Sequence, residues 1–184
     1  MGIFRNSPKT TEISSAQLPL ILHNALVLDL NQNINASGTK LIEAGYTLVD
    51  QFAFEYFAMI MVNYINSVGT LSGNLLKEEE WTLMVSGFTG LSLKSFLKCY
   101  GISDPSDENF SVYWKELHKR MRVWHEGNSK YGADALATCR FVAGRFVKQP
   151  FVVTNMDDFE DILFRRANSL QALLEMLKKI TVVK

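Results

Sequence analysis

The sequence predicts a mainly α, single-domain protein: a helical bundle of five or six helices around a central apolar helix at about residues 39–67. Three observations carry that reading. The stretch Tyr46 to Ile65 (YTLVDQFAFEYFAMIMVNYI) is apolar almost all the way round a helix, and such a helix belongs at the centre of a protein rather than on its surface. Two later stretches repeat apolar residues at the three–four spacing of one helix face: Phe110, Trp114, Leu117, Met121 and Trp124, then Phe159, Leu163, Ala167, Leu170, Leu174 and Leu177. β-Branched runs are confined to two short segments, Phe151–Thr154 and Ile180–Val183.

Taken in order, residues 1–14 are polar, carry Pro8 and read as a mobile arm, leaving 15–184 as one helical domain. Ser15 can cap a first helix with Pro19 in its opening turn. The turn-forming run Asn31–Gly38 (NQNINASG) is expected to end it. Ser37 or Thr39 then opens the long central helix, with Gln51, Glu55 and Asn66 along one narrow polar strip. A third helix runs from about Glu78 to Tyr100. Three glutamates sit at its start, where negative charge meets the positive end of the helix dipole, and Gly87 and Gly90 are possible points of kinking. The fourth spans about Asp107 to Glu126 and the fifth Ala133 to Lys148, whose small residues Ala133, Ala137, Ala143 and Gly144 permit close packing. The sixth is capped by Thr154 or Asn155, with Asp157 and Asp158 in its first turn. The two β-branched runs are candidates for a minimal ladder with each other near the C-terminus.

Composition narrows the function classes. The 184 residues carry 19 basic and 19 acidic side chains, so no global field favours nucleic acid or a membrane. Near-zero charge also protects weakly against self-association. No segment reads as transmembrane: Asp50 and Glu55 near the middle of the apolar stretch would each cost about 3 kcal/mol in lipid. The N-terminus lacks the apolar core of a signal peptide. Cys99 and Cys139 match no metal or redox spacing and read as two buried reduced thiols, which places the chain in the cytoplasm. No linear motif points to a catalytic residue, a metal or a cofactor.

Charge is uneven along the chain. Helices four and five form a basic block in which Lys115, Lys119, Arg122, Arg140 and Arg145 are candidate polyanion contacts. Trp114 and Trp124 interleave with them but lie on the buried stripe, which removes them from base stacking. His118 and His125 are seven residues apart on one side of the fourth helix, about 10 Å along its axis, too far to share a metal ion. With Glu55 they make a candidate anion or ligand pocket. A carboxylate buried in an apolar helix suits acid–base work, with Arg140 or His118 as a partner, although exposure along the polar strip is the preferred reading.

The function expected from these features is a non-catalytic protein-interaction or self-assembly module, most simply a homodimer. The alternatives are a nucleic-acid or polyanion binder using residues 107–126 and 133–148, and an enzyme or small-ligand binder with Glu55 in a polar gap of the core.

Overall fold

The computed structural model describes residues 10–72, 76–102 and 106–183. Six helices pack together: α1 (Leu18–Glu43), α2 (Phe52–Ser72), α3 (Glu78–Cys99), α4 (Asp107–Tyr131), α5 (Ala135–Phe146) and α6 (Met156–Leu177). Two short strands, β1 (Thr11–Ser14) and β2 (Ile180–Val183), complete the fold. No helix among the described residues is long and apolar enough to cross a membrane.

The central apolar helix is α2, in which every residue from Glu55 to Tyr64 is buried. Its neighbours are α1, α4, α5 and α6, and its rings also meet α3, with Phe57 stacked on Phe96 at 4.5 Å between centroids. An all-round apolar surface demands this enclosure, because any face left in water would forfeit the burial that stabilises the helix.

The boundary between the first two helices differs from the sequence expectation. Asn31–Gly38 does not form a turn, and α1 continues through it to Glu43. The reason is periodicity. Leu22, Leu26, Leu30, Ile34, Ser37, Gly38 and Leu41 form one unbroken buried face, while Asn31, Gln32 and Asn35 face solvent. Asn33 donates to Asp29 one turn back at 2.6 Å. Gly38 admits the Phe52 ring, which would lie 3.1 Å from an added Cβ.

The break comes at Gly45, whose φ of 89° is a left-handed conformation that favours glycine. Gly45 N–H donates to the Ile42 carbonyl and Tyr46 N–H to the Leu41 carbonyl, both at 2.9 Å, which satisfies the helix end in a Schellman arrangement. Tyr46–Gln51 is therefore not helical. This segment is extended against the end of α5: Leu48 forms an antiparallel bridge with Val147, Val49 N–H donates to the Phe146 carbonyl at 3.0 Å, and Lys148 N–H donates to the Thr47 carbonyl at 2.8 Å.

The remaining helices begin at recognisable caps. Glu80 accepts from Lys77 N–H at 2.9 Å ahead of α3. Ser106 accepts from Asn109 N–H ahead of α4, and Asp134 from Ala137 N–H ahead of α5. α3 runs unbroken through Gly87 and Gly90, which lie against Pro19 and Trp114. α4 passes Gly127 and ends at Tyr131, because Gly127 accommodates the Phe141 ring of α5.

The minimal ladder has a different partner from the one expected. β2 pairs in parallel with β1, Thr11 opposite Ile180 through Ser14 opposite Val183. Residues 11–14 are thus a strand with Ile13 buried, although the sequence assigns them to the arm; residues 1–9 lie outside those described. Phe151 packs on Phe159 instead, and Val153–Asn155 is a single 3₁₀ turn. A parallel pair needs a long crossover, and here the whole bundle supplies it. Cys139 is buried but Cys99 is exposed, which corrects the expectation of two buried thiols. Burial pushes the Cys139 thiol up, despite the adjacent Arg140.

Two glycine substitutions should give opposite results. Gly127→Ala places a methyl group into the Phe141 ring and is expected to destabilise by about 1–3 kcal/mol. Gly144→Ala, with no atom within 4 Å of the new Cβ, is expected to stabilise by about 0.5–1 kcal/mol through helix propensity. Urea unfolding of the two variants checks both signs.

Candidate functional site

Glu55 stands at the start of the buried run of α2, and its carboxylate is only 4% exposed. The exposed placement preferred from sequence is therefore corrected. Its partners are also other than Arg140 or His118. Arg120 of α4 and Arg145 of α5 both donate to Oε1. Arg145 Nε and the Trp124 indole N–H each donate to Oε2 at 3.1 Å. Arg145 thus binds the carboxylate through two nitrogens, and both oxygens are occupied. Arg120 also reaches Gln51 and Glu116, the latter at 2.8 Å, and its guanidinium lies 5.2 Å from the centre of the Phe54 ring.

The geometry follows from helix spacing. Gln51 immediately precedes α2 and its carbonyl accepts from Glu55 N–H at 3.0 Å, while Glu116, Arg120 and Trp124 are successive four-residue steps on one face of α4. Arg120, Trp124 and Gln51 were not candidates from the sequence. The signal that could have found them is the step Glu116, Arg120, Trp124 as a counterpart to an acid within a long apolar run.

Against this network lies an apolar groove of about 630 Å³ between the start of α2, the end of α3 and the first half of α4. Phe54, Phe96, Tyr100, Ile102, Val112 and Tyr113 supply most of its wall. Four charged side chains border it: Asp50, Lys115, Glu116 and Lys119. The two carboxylates are already paired, Asp50 with Lys148 and Glu116 with Arg120. Lys115 and Lys119 are not: among the described residues neither ammonium has a carboxylate within 4 Å. Among the described residues, the groove therefore presents apolar surface beside two positive charges that lack a carboxylate partner.

The other residues singled out from sequence do not converge. Arg122 and Arg140 are exposed, on α4 and α5, and Arg145 is turned inward to Glu55. His118 is exposed and bonds through Nδ1 to the Trp114 carbonyl at 2.9 Å, with its ring 4.5 Å from that indole. His125 is exposed one helix face away from the carboxylate. Neither imidazole joins Glu55, so the three-residue pocket does not form. Among the described residues no group of three or more histidine, cysteine or acidic side chains could hold a metal ion.

His23, read from sequence as a core or boundary residue, is part-buried between α1 and α3. Its Nδ1 is 3.2 Å from Ser92 Oγ and its Nε2 is 3.2 Å from Ser95 Oγ. Burial lowers its pKa from the ordinary 6.5. Ser92 and Ser95 are inside the continuous helix α3.

The chain matches no protein family, no curated protein and no solved structure.

Two outcomes follow from these contacts. Glu55→Ala leaves two arginines and an indole N–H facing the core without their acceptor, and is expected to lower stability by about 3 kcal/mol. Arg145→Ala leaves Arg120 on the carboxylate and should cost about 1 kcal/mol; chemical denaturation separates the two. For His23 the folded pKa lies below the unfolded one, so the unfolded chain takes up the proton first. Its contribution to stability is complete above about pH 6.5 and is lost as pH falls below that value. Urea midpoints measured from pH 7.5 to 5 (roughly the imidazole titration range) should fall less steeply in His23→Gln than in the parent chain.

Proposed function

We propose that the protein is a non-catalytic binding module whose groove between α2, α3 and α4 takes a small amphipathic acid: an apolar body with one anionic head. The observation behind this reading is the charge state of the groove rim. Its volume of about 630 Å³ and aromatic wall suit a small ligand. Among the described residues Lys115 and Lys119 have no carboxylate partner, while the bordering carboxylates of Asp50 and Glu116 have cationic ones. Burial of the ligand's hydrocarbon on Phe54 and Phe96 would supply affinity at roughly 25 cal/mol per Å² of apolar surface covered. The lysines would supply orientation and sign selectivity.

This reading keeps the small-ligand alternative but changes the role of Glu55. With both oxygens held by Arg120, Arg145 and Trp124, Glu55 supports the groove from behind. Polyanion binding has less to support it, because Arg145 is engaged internally and Arg122 and Arg140 are on other surfaces. Self-association has the exposed apolar side chains Leu28, Leu83, Val112 and Phe164 in its favour, but these are distributed over four different helices.

Titration calorimetry with decanoate tests the proposal. Binding should weaken at least tenfold (about 1.4 kcal/mol) in a Lys115→Glu, Lys119→Glu double variant, and also in Val112→Trp, which fills the groove from an exposed position. Decanol should bind more weakly than decanoate to the parent chain and be indifferent to the charge reversal. Decanoate affinity that survives both variants would remove the groove from consideration.

A further inference from the structure

A second cleft, of about 550 Å³, opens between α1 and α6, with Tyr64 of α2 in its wall. At its base is Asp29, which is 6% exposed. Its Oδ1 accepts from Asn33 Nδ2 at 2.6 Å and from Ser169 Oγ at 2.9 Å, and its Oδ2 accepts only a long bond of 3.4 Å from the Tyr64 hydroxyl. All three donors are neutral. Among the described residues no cationic nitrogen lies within 4 Å of this carboxylate. The two arginines of the neighbouring stretch of α6 are directed elsewhere: Arg165 Nε donates to Asp161 at 2.8 Å, and Arg166 Nη2 to Asn63 Oδ1 at 2.6 Å.

A carboxylate removed from water is costly unless a positive charge and a full set of donors replace its hydration. Asp29 has the donors on one oxygen and lacks the charge. Glu55, also deeply buried, has two guanidinium partners. The difference is that Asp29 borders an open cleft and Glu55 does not border the groove beside it. The remainder of the lining is mixed: Leu28, Leu173 and Met176 supply an apolar wall, with Gln32, Arg165 and Asn168 beside it.

We propose that this cleft is a binding site for a small primary monoamine, whose ammonium group donates to Asp29 Oδ2 and whose hydrocarbon chain lies along Leu28, Leu173 and Met176. The ammonium supplies the missing charge, and its remaining protons are within reach of the polar groups around Asp29. Arg165 also lines the cleft. It is paired with Asp161, and Asp29 is the one acidic side chain among the described lining residues, so a second ammonium on the same ligand would have no counter-charge there and a monoamine is selected over a diamine. The site is separate from the groove between α2, α3 and α4, and neither proposal depends on the other.

Calorimetry on the full chain at neutral pH, with hexylamine, hexanol, hexanoate and hexamethylenediamine, tests the site. Hexylamine should bind, and the other three at least tenfold more weakly. Asp29→Asn keeps the shape of the site but not its charge, and should weaken hexylamine at least tenfold. Ala172→Phe, at an exposed position in the cleft wall, should do the same without touching Asp29, and keeps the test decisive if Asp29→Asn does not fold. Hexanol binding as tightly as hexylamine would overturn the site. So would hexylamine affinity that persists in either folded variant, or no binding up to about ten millimolar.

Discussion

For a helix that is apolar on every side, hydrophobicity alone does not name one rotation in its socket, because several packings bury similar surface. Glu55 removes that freedom from α2. Its carboxylate has one position in which Arg120, Arg145 and the Trp124 indole N–H can all reach it, and any other rotation would leave an unpaired charge in the core. The ion pair need not add much net stability, because desolvation offsets most of the attraction. Its contribution is to select one packing among many that hydrophobicity alone would accept. Once α2 is fixed, α4 and α5 are fixed against it through the same carboxylate. The ring contacts of Phe57 with Phe96 and of Phe52 with Phe146 then fall into a single register.

The groove inherits its rigidity from this arrangement. Gln51 and Glu116 belong both to its lining and to the Arg120 network, and Phe54 has the Arg120 guanidinium beside its ring and Phe96 at 5.5 Å. A binding surface is most selective when its first layer is held by a second. Here one arginine, 13% exposed, links the rim carboxylate of Glu116 to the buried carboxylate of Glu55.

Much of the architecture was legible in the residues. The burial of α2, the stripe of α4 and the acidic start of α3 follow from spacing and charge, and all are present. The stripe of α6 is shifted: Phe159, Ile162 and Leu173 are its buried residues, while Ala167 of the expected stripe is exposed. The end of α1 was misplaced because Asn31–Gly38 is rich in turn-forming residues, whereas the buried positions Ile34, Ser37, Gly38 and Leu41 continue the helical period through it. Tertiary packing outweighs local propensity there. The true break, Gly45, falls inside the span of about 39–67 that the sequence assigns to the central helix. The pairing of β1 with β2 could not be read, because four-residue strands carry no register information and their partners are separated by the whole bundle. At the site, Glu55 stood out as an acid in an apolar helix, but its arginines did not. Arg120 and Arg145 look like members of a basic surface until the fold turns them inward. Lys115 and Lys119 looked the same in sequence and remain outside.

The ladder between β1 and β2 has a mechanical consequence. The strands are parallel, so tension entering at Thr11 and leaving at Val183 pulls them along their length in opposite directions. The bonds of the ladder then share the stress at once instead of opening one after another. A single short ladder thereby shields six helices from traction, and the bundle should yield only after that clasp has slipped.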